Sequence, residues 1–136
     1  MRAPILLCVD DSPQLLEVRK ANLEPLGLSV VTATTVSATI AVLENMAIDA
    51  VLMEYKSEGM DSEAVAFHIR RRFPQQPIIL LSAYSDIPER VLWLVDDYVM
   101  RSEPIEHLVQ VIERLTRTRQ KEAESAGRVQ HYRATA

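Results

Sequence analysis

Short, mostly apolar runs alternate with segments of helical periodicity along the chain. Most of these runs are apolar at consecutive positions, which predicts strands that are covered on both faces. Strands that alternate with helices in this way predict a doubly wound α/β fold, in which helices cover both faces of a five-stranded parallel sheet. The predicted strands are Ile5–Val9, Leu28–Ala33, Ala50–Met53, Ile78–Ser82 and Asp97–Met100.

Local signals place the helices between these strands. Ser12-Pro13 combines an N-cap residue with proline at the first helical position, and Gly27 predicts the end of that helix. The segment from Lys121 to Ala136 is polar and has no apolar period, so we expect a frayed or disordered tail after a domain of residues 1–120. The predicted helices span about 13–26, 36–47, 62–72, 87–95 and 105–120.

Polar and charged residues follow several of the predicted strands. The carboxyl ends of parallel strands meet at one edge of the sheet, where ligands bind in such folds. The acidic pair alone would also suit the start of a helix. Together these side chains predict a site for a hard divalent cation and an anionic ligand. They are Asp10 and Asp11 after the first strand, then Glu54, Ser82 and Arg101 at the ends of the third, fourth and fifth.

Composition and charge narrow the class of protein. A length of 136 residues suits one domain. The balance of 15 Lys and Arg against 19 Asp and Glu gives a net charge of −4, which argues against a nucleic-acid-binding surface. Cys8 is the single cysteine and cannot form an internal disulfide, so we expect a cytoplasmic protein. The longest apolar runs have five residues, too few to span a bilayer, and no membrane partner is expected.

Four segments, in this order and spacing, resemble the receiver domain of response regulators, the chemotaxis-regulator-like module of two-component signalling. The resemblance covers about residues 4–118. It implies a flavodoxin-like fold with strand order 2-1-3-4-5, and the short span from Ser82 to Tyr98 implies a shortened fourth helix. The segments are Asp10-Asp11, Val51–Tyr55 with Gly59–Asp61, Ile79–Ala83, and Asp96–Arg101.

The resemblance also implies a role for each residue of the predicted site. The family binds Mg²⁺ through the acidic pair, the phosphoacceptor and a backbone carbonyl two residues later, which correspond to Asp10, Asp11, Glu54 and the carbonyl of Lys56. A hydroxyl and a cation contact the phosphoryl group, and the hydroxyl and an aromatic residue form the conformational switch. These positions correspond to Ser82 and Arg101 for the phosphoryl group, and to Ser82 and Tyr98 for the switch.

Two departures from the family pattern concern the phosphoryl chemistry. Glu54 stands where the family has aspartate, and its carboxylate lies farther out by about 1.5 Å, one carbon–carbon bond. A misplacement of about 1 Å can reduce a rate about 100-fold, so phosphorylation of Glu54 is expected to be compromised. Arg101-Ser102 replaces the Lys-Pro of the family, which predicts a trans peptide bond there. We further predict that Glu54 and Arg101 pair directly.

These considerations predict an atypical, stand-alone receiver domain of phosphorelay signalling that acts by protein–protein interaction, independently of phosphorylation, and is not an enzyme. The resemblance implies Mg²⁺ as the cofactor, with weak binding or none as the alternative. The expected partner is a sensor kinase or an output protein, without direct nucleic-acid binding, and a homodimer would use the face of the fourth helix, fifth strand and fifth helix. The alternatives are a genuine phosphoacceptor receiver and a Mg²⁺-dependent phosphate-ester hydrolase built from Asp10, Asp11 and Glu54.

Overall fold

The computed structural model of the chain describes residues 2–55, 59–83 and 85–135. Strands and helices alternate along these residues as the sequence predicts. The strands are β1 (Ile5–Val9), β2 (Ser29–Ala33), β3 (Ala50–Glu54), β4 (Ile78–Ser82) and β5 (Asp97–Met100). The helices are α1 (Pro13–Leu23), α2 (Val36–Asn45), α3 (Ser62–Arg72), α4 (Glu89–Leu92) and α5 (Ile105–Thr135), with a 3₁₀ turn at Glu24–Leu26.

The strands form one parallel sheet in the order β2-β1-β3-β4-β5, which confirms the predicted topology. The register aligns the carboxyl ends of the three central strands and of β5. Glu54 lies opposite Leu81, and Ser82 lies opposite Met100. The residues that end these strands, or follow them, therefore meet at one edge of the sheet.

Two apolar clusters cover the two faces of the sheet. Successive residues of β1 point to opposite faces, so Leu7 and Val9 belong to one cluster while Leu6 and Cys8 belong to the other. All four side chains are buried. A strand with both faces in the core is apolar at every position, which is the pattern from which the strands were predicted.

Helix α1 begins and ends with the signals that the sequence carries. The Ser12 hydroxyl accepts a hydrogen bond from the backbone N–H of Leu15 at 3.2 Å, and Pro13 occupies the first turn. The α-helix ends at Leu23, and its last turn continues as the 3₁₀ turn. Gly27 then adopts a φ of +93°, in the left-handed region that favours glycine. The position of α1 against the sheet is therefore set at both ends.

Helix α4 is shorter than the other helices, and helix α5 is longer. Helix α4 has four residues, which confirms the predicted shortening. Helix α5 continues to Thr135, beyond residue 120, after which the sequence predicts a frayed or disordered tail. Residues 121–135 contain no proline, and nine of these fifteen residues are Ala, Glu, Arg, Lys or Gln, which favour helix without forming an apolar stripe. Among the described residues, none of the helices is long and apolar enough to cross a membrane.

Candidate functional site

The structure brings four of the predicted site residues to the carboxyl edge of the sheet. Asp10 follows β1, Glu54 ends β3, Ser82 ends β4 and Arg101 follows β5. The backbone N–H of Arg101 donates to the carbonyl of Ser82 at 2.7 Å, which ties the loop after β5 to the end of β4. The main chain thus places the Arg101 side chain close to Glu54.

Glu54 and Arg101 form a direct ion pair, as the sequence predicts. The distance from Nη1 of Arg101 to Oε1 of Glu54 is 2.5 Å. The Glu54 side chain is 13% exposed and that of Arg101 is 49% exposed, so the pair lies partly inside the protein. The described residues contain no cis peptide bond, which confirms the trans bond between Arg101 and Ser102.

A second arginine, Arg19, approaches the other oxygen of Glu54. Its Nη2 lies 3.8 Å from Oε2 of Glu54, and its side chain is only 9% exposed. Arg19 was not among the site residues predicted from the sequence. Arg19 lies three residues after Leu16 and four before Leu23, both buried, so it occupies the inward face of α1. A charged residue within that apolar stripe was the signal that could have identified it.

Asp10 is buried beside this ion-pair cluster. Its Oδ1 accepts a hydrogen bond from the backbone N–H of Ser12 at 2.9 Å, whereas its buried Oδ2 has no hydrogen-bond partner among the described residues. Burial raises the pKa of Asp10 and the neighbouring Asp11 raises it further, while the Ser12 N–H and the Arg19 charge act in the opposite direction. The ionised form of Asp10 is therefore disfavoured in the folded protein.

Asp11 packs against the loop that follows β3. A Cβ atom built on Gly59 would clash with the carboxylate of Asp11, so a larger residue at this position would require the Asp11 side chain to move. The acidic pair and the β3–α3 loop are thus in direct contact, as a shared site at this edge requires.

The two residues assigned to the switch lie in different environments. Ser82 is fully buried, and Tyr98 is half-buried against the apolar cluster that contains Leu7. Their roles in a switch stay predictions. The carbonyl of Lys56, the fourth predicted metal ligand, lies outside the described residues.

The carboxylates of Asp10, Asp11 and Glu54, the predicted magnesium ligands that the structure describes, do not form a cation site in this arrangement. The described part of the chain contains no group of three His, Cys, Asp or Glu residues that could hold a metal ion. Both carboxylate oxygens of Glu54 face guanidinium groups, one from Arg101 and one from Arg19. Positive side chains therefore occupy the surroundings of the acid that would complete the ligand set.

Replacing Asp10 with asparagine is expected to stabilise the fold by about 1 kcal/mol at neutral pH. The amide would remove a buried charge, keep an acceptor for the Ser12 N–H and offer a donor to Asp11. Because the pKa of Asp10 is raised on folding, the parent loses stability as the pH rises from about 4 towards neutrality, and the variant lacks this loss. Urea unfolding near pH 4 and pH 7 measures both effects.

The same asparagine substitution at Asp86, which is exposed, serves as the control and should leave stability unchanged. A lower free energy of unfolding for Asp10→Asn than for the parent at pH 7 would contradict the assignment of Asp10 as a strained, buried acid.

Comparison with known proteins points to one family. The family model of the response regulator receiver domain matches residues 6–113. The sensor protein GacS of Pseudomonas syringae pv. syringae is 34% identical over 119 residues, which are 82% of this chain and 13% of GacS. The transcriptional regulatory protein GlrR of Escherichia coli K12 is 35% identical over 86 residues, 63% of this chain and 19% of GlrR. The chain thus spans less than a fifth of either relative.

Similarity to a solved structure points to the same family. The response regulator TrrA of Thermotoga maritima, in complex with Mg²⁺-BeF, is 28% identical with a TM-score of 0.71, and the match covers 82% of this chain and 98% of TrrA. TrrA has also been solved in complex with the histidine kinase ThkA.

Proposed function

The chain belongs to the response regulator receiver domain family of two-component signalling, and we propose that it is a receiver whose signalling state does not depend on phosphorylation. Receiver domains are in general signalling modules rather than enzymes. In this proposal the chain acts by binding other proteins in the cytoplasm. The observation that carries it is the carboxylate of Glu54, held between Arg101 and Arg19.

The ion pairs oppose attack by Glu54 on a phosphoryl donor. Oε1 already receives a hydrogen bond from Arg101 at 2.5 Å, and Oε2 faces the Arg19 guanidinium at 3.8 Å. A carboxylate that accepts a charge-assisted hydrogen bond and lies beside a second positive charge is a weaker nucleophile. The additional methylene of glutamate also moves the carboxylate away from the position that aspartate takes in the family, and errors of this size are costly to rate.

The same pair supports a fixed signalling state. The resemblance assigns the cation at Arg101 to contact with the phosphoryl group. Here the carboxylate of Glu54 supplies a negative charge to that cation without phosphate. The long glutamate side chain therefore takes the place of the phosphoryl group at Arg101, so that in this proposal the unmodified chain rests in the state that phosphorylation would otherwise produce.

The partner surface in this proposal is the face formed by α4, β5 and α5. Trp93, which directly follows α4, is 79% exposed, and Leu92 and Ile105 are also exposed on this side of the chain. Exposed apolar groups of this kind mark surfaces that bind other proteins. We propose a sensor kinase, an output protein or a second copy of the chain as the occupant. The TrrA–ThkA complex supports the kinase as one class of partner.

The parent protein is expected to resist phosphorylation by a small phosphoryl donor such as acetyl phosphate in the presence of Mg²⁺. Intact-mass spectrometry should show no gain of a phosphoryl group, because Glu54 is paired with Arg101 and lies beside the charge of Arg19. A TrrA-like receiver with aspartate at the acceptor position, treated in the same way, controls for the donor. A phosphoryl group mapped to Glu54 by peptide sequencing would contradict the proposal and favour a genuine phosphoacceptor.

A further inference from the structure

We propose that the guanidinium of Arg19 is the permanent cation of this acidic site and takes the place of a bound divalent metal ion. This inference deepens the proposed function, on which it rests, because it makes the resting state of the site independent of Mg²⁺ as well as of phosphate. It follows from the position, burial and charge of Arg19.

Arg19 is buried beside the carboxylate of Glu54. Its side chain is 9% exposed, and Nη2 lies 3.8 Å from Oε2 of Glu54. Its charge also acts on Asp10 and on the thiol of Cys8, where it opposes the rise in pKa that burial causes. The guanidinium is therefore close enough to influence residues at the ends of both β1 and β3.

Packing of α1 holds the guanidinium in this position. Leu16 and Leu23, on the same face of α1 as Arg19, are both buried in the apolar cluster on that side of the sheet. The buried Nη1 of Arg19 has no hydrogen-bond partner among the described residues, so hydrogen bonds alone do not account for its position. Because arginine is not deprotonated in proteins, the positive charge is present at every accessible pH.

The charges at this edge leave little attraction for a further cation. Two guanidinium groups lie against the carboxylate of Glu54: that of Arg101 is half-exposed and that of Arg19 is buried. A divalent ion placed against Glu54 would meet both positive groups at short range, where the surrounding protein screens poorly. It would also have to displace an arginine from the oxygen that it coordinates.

The test is a calorimetric titration of the full chain with Mg²⁺, supported by thermal melting with and without the ion. The parent is expected to show neither saturable heat nor a rise in Tm. Arg19→Gln removes the charge and is expected to show saturable binding of Mg²⁺, which corresponds to an affinity higher than that of the parent by about tenfold or more, the scale on which changes around metal ligands act. Its Tm should then rise with Mg²⁺.

Two control variants distinguish an effect of the position of Arg19 on Mg²⁺ affinity from an effect of net charge. Arg101→Gln removes a positive charge from the same carboxylate but leaves Arg19 in place, so it should gain much less affinity than Arg19→Gln. Arg19→Lys keeps the charge and should stay close to the parent. Equal gains in Arg19→Gln and Arg101→Gln would overturn the proposal, because the effect would then be one of net charge alone.

If Arg19→Gln does not fold, the Mg²⁺ titration of the parent protein still tests the proposal. Saturable binding of Mg²⁺ by the parent would overturn the proposal, and its absence supports it. These titrations contain no phosphoryl donor. A failure here therefore leaves the resistance of Glu54 to phosphorylation standing, and that resistance is measured separately by intact mass.

Discussion

Replacing Glu54 with alanine is expected to lower the free energy of unfolding by about 3 kcal/mol. The substitution removes the acidic partner of Arg19, whose side chain is 9% exposed and whose Nη1 already lacks a hydrogen-bond partner among the described residues. An uncompensated charge would then be left inside the protein. Chemical denaturation at neutral pH, followed by circular dichroism, measures the change.

A matched control removes an exposed ion pair of the same type. Glu44 on α2 pairs with Arg72 on α3, and both side chains are largely exposed. Glu44→Ala should cost only about 0–1 kcal/mol, because water screens such pairs. If Glu54→Ala costs no more than Glu44→Ala, the Glu54 cluster is not the buried ion-pair cluster described above.

Replacing Glu54 with aspartate is expected to increase the rate of phosphorylation by a small donor with Mg²⁺ by about 100-fold over the parent. The shorter side chain withdraws its carboxylate from Arg101 and places it where the family has its phosphoacceptor. Addition of Arg19→Gln should raise the rate further, because the place for a divalent cation is then open. Intact-mass measurements over time give the rates.

Glu54→Gln is the control for this experiment, since it keeps the length of the side chain but has no nucleophilic carboxylate, and it should not be modified. Phosphorylation of the parent as fast as that of Glu54→Asp would contradict the account, because the length and pairing of Glu54 would then not limit the reaction.

Most of the fold could be predicted from the sequence because the three central strands are buried on both faces and the strands are separated by clear helix signals. Helix α3 was predicted with its observed bounds, Ser62–Arg72, and β4 likewise. The end of α5 could not be predicted from an apolar stripe, since residues 121–135 have none and continue the helix through intrinsic propensity. The boundary of the domain at residue 120 stays a prediction.

The site was predictable only as far as the main chain determines it. The pairing of Glu54 with Arg101 follows from parallel strands whose ends meet at one edge. Arg19 lies on α1. The inward face of a helix is predicted from its apolar residues, so an arginine on that face is overlooked. The magnesium site was predicted from the residue types at the strand ends and from the resemblance to receiver domains, neither of which shows that guanidinium groups face Glu54.

A crystal structure of the chain grown in a high concentration of MgCl₂ tests the central claim most directly, because it shows what Glu54 binds when the metal is offered. We predict that Oε1 of Glu54 stays within hydrogen-bond distance of Arg101, that Oε2 still faces Arg19, and that no metal ion lies between Asp10 and Glu54. A Mg²⁺ ion coordinated by Glu54, with Arg19 and Arg101 turned away from the carboxylate, would contradict the claim.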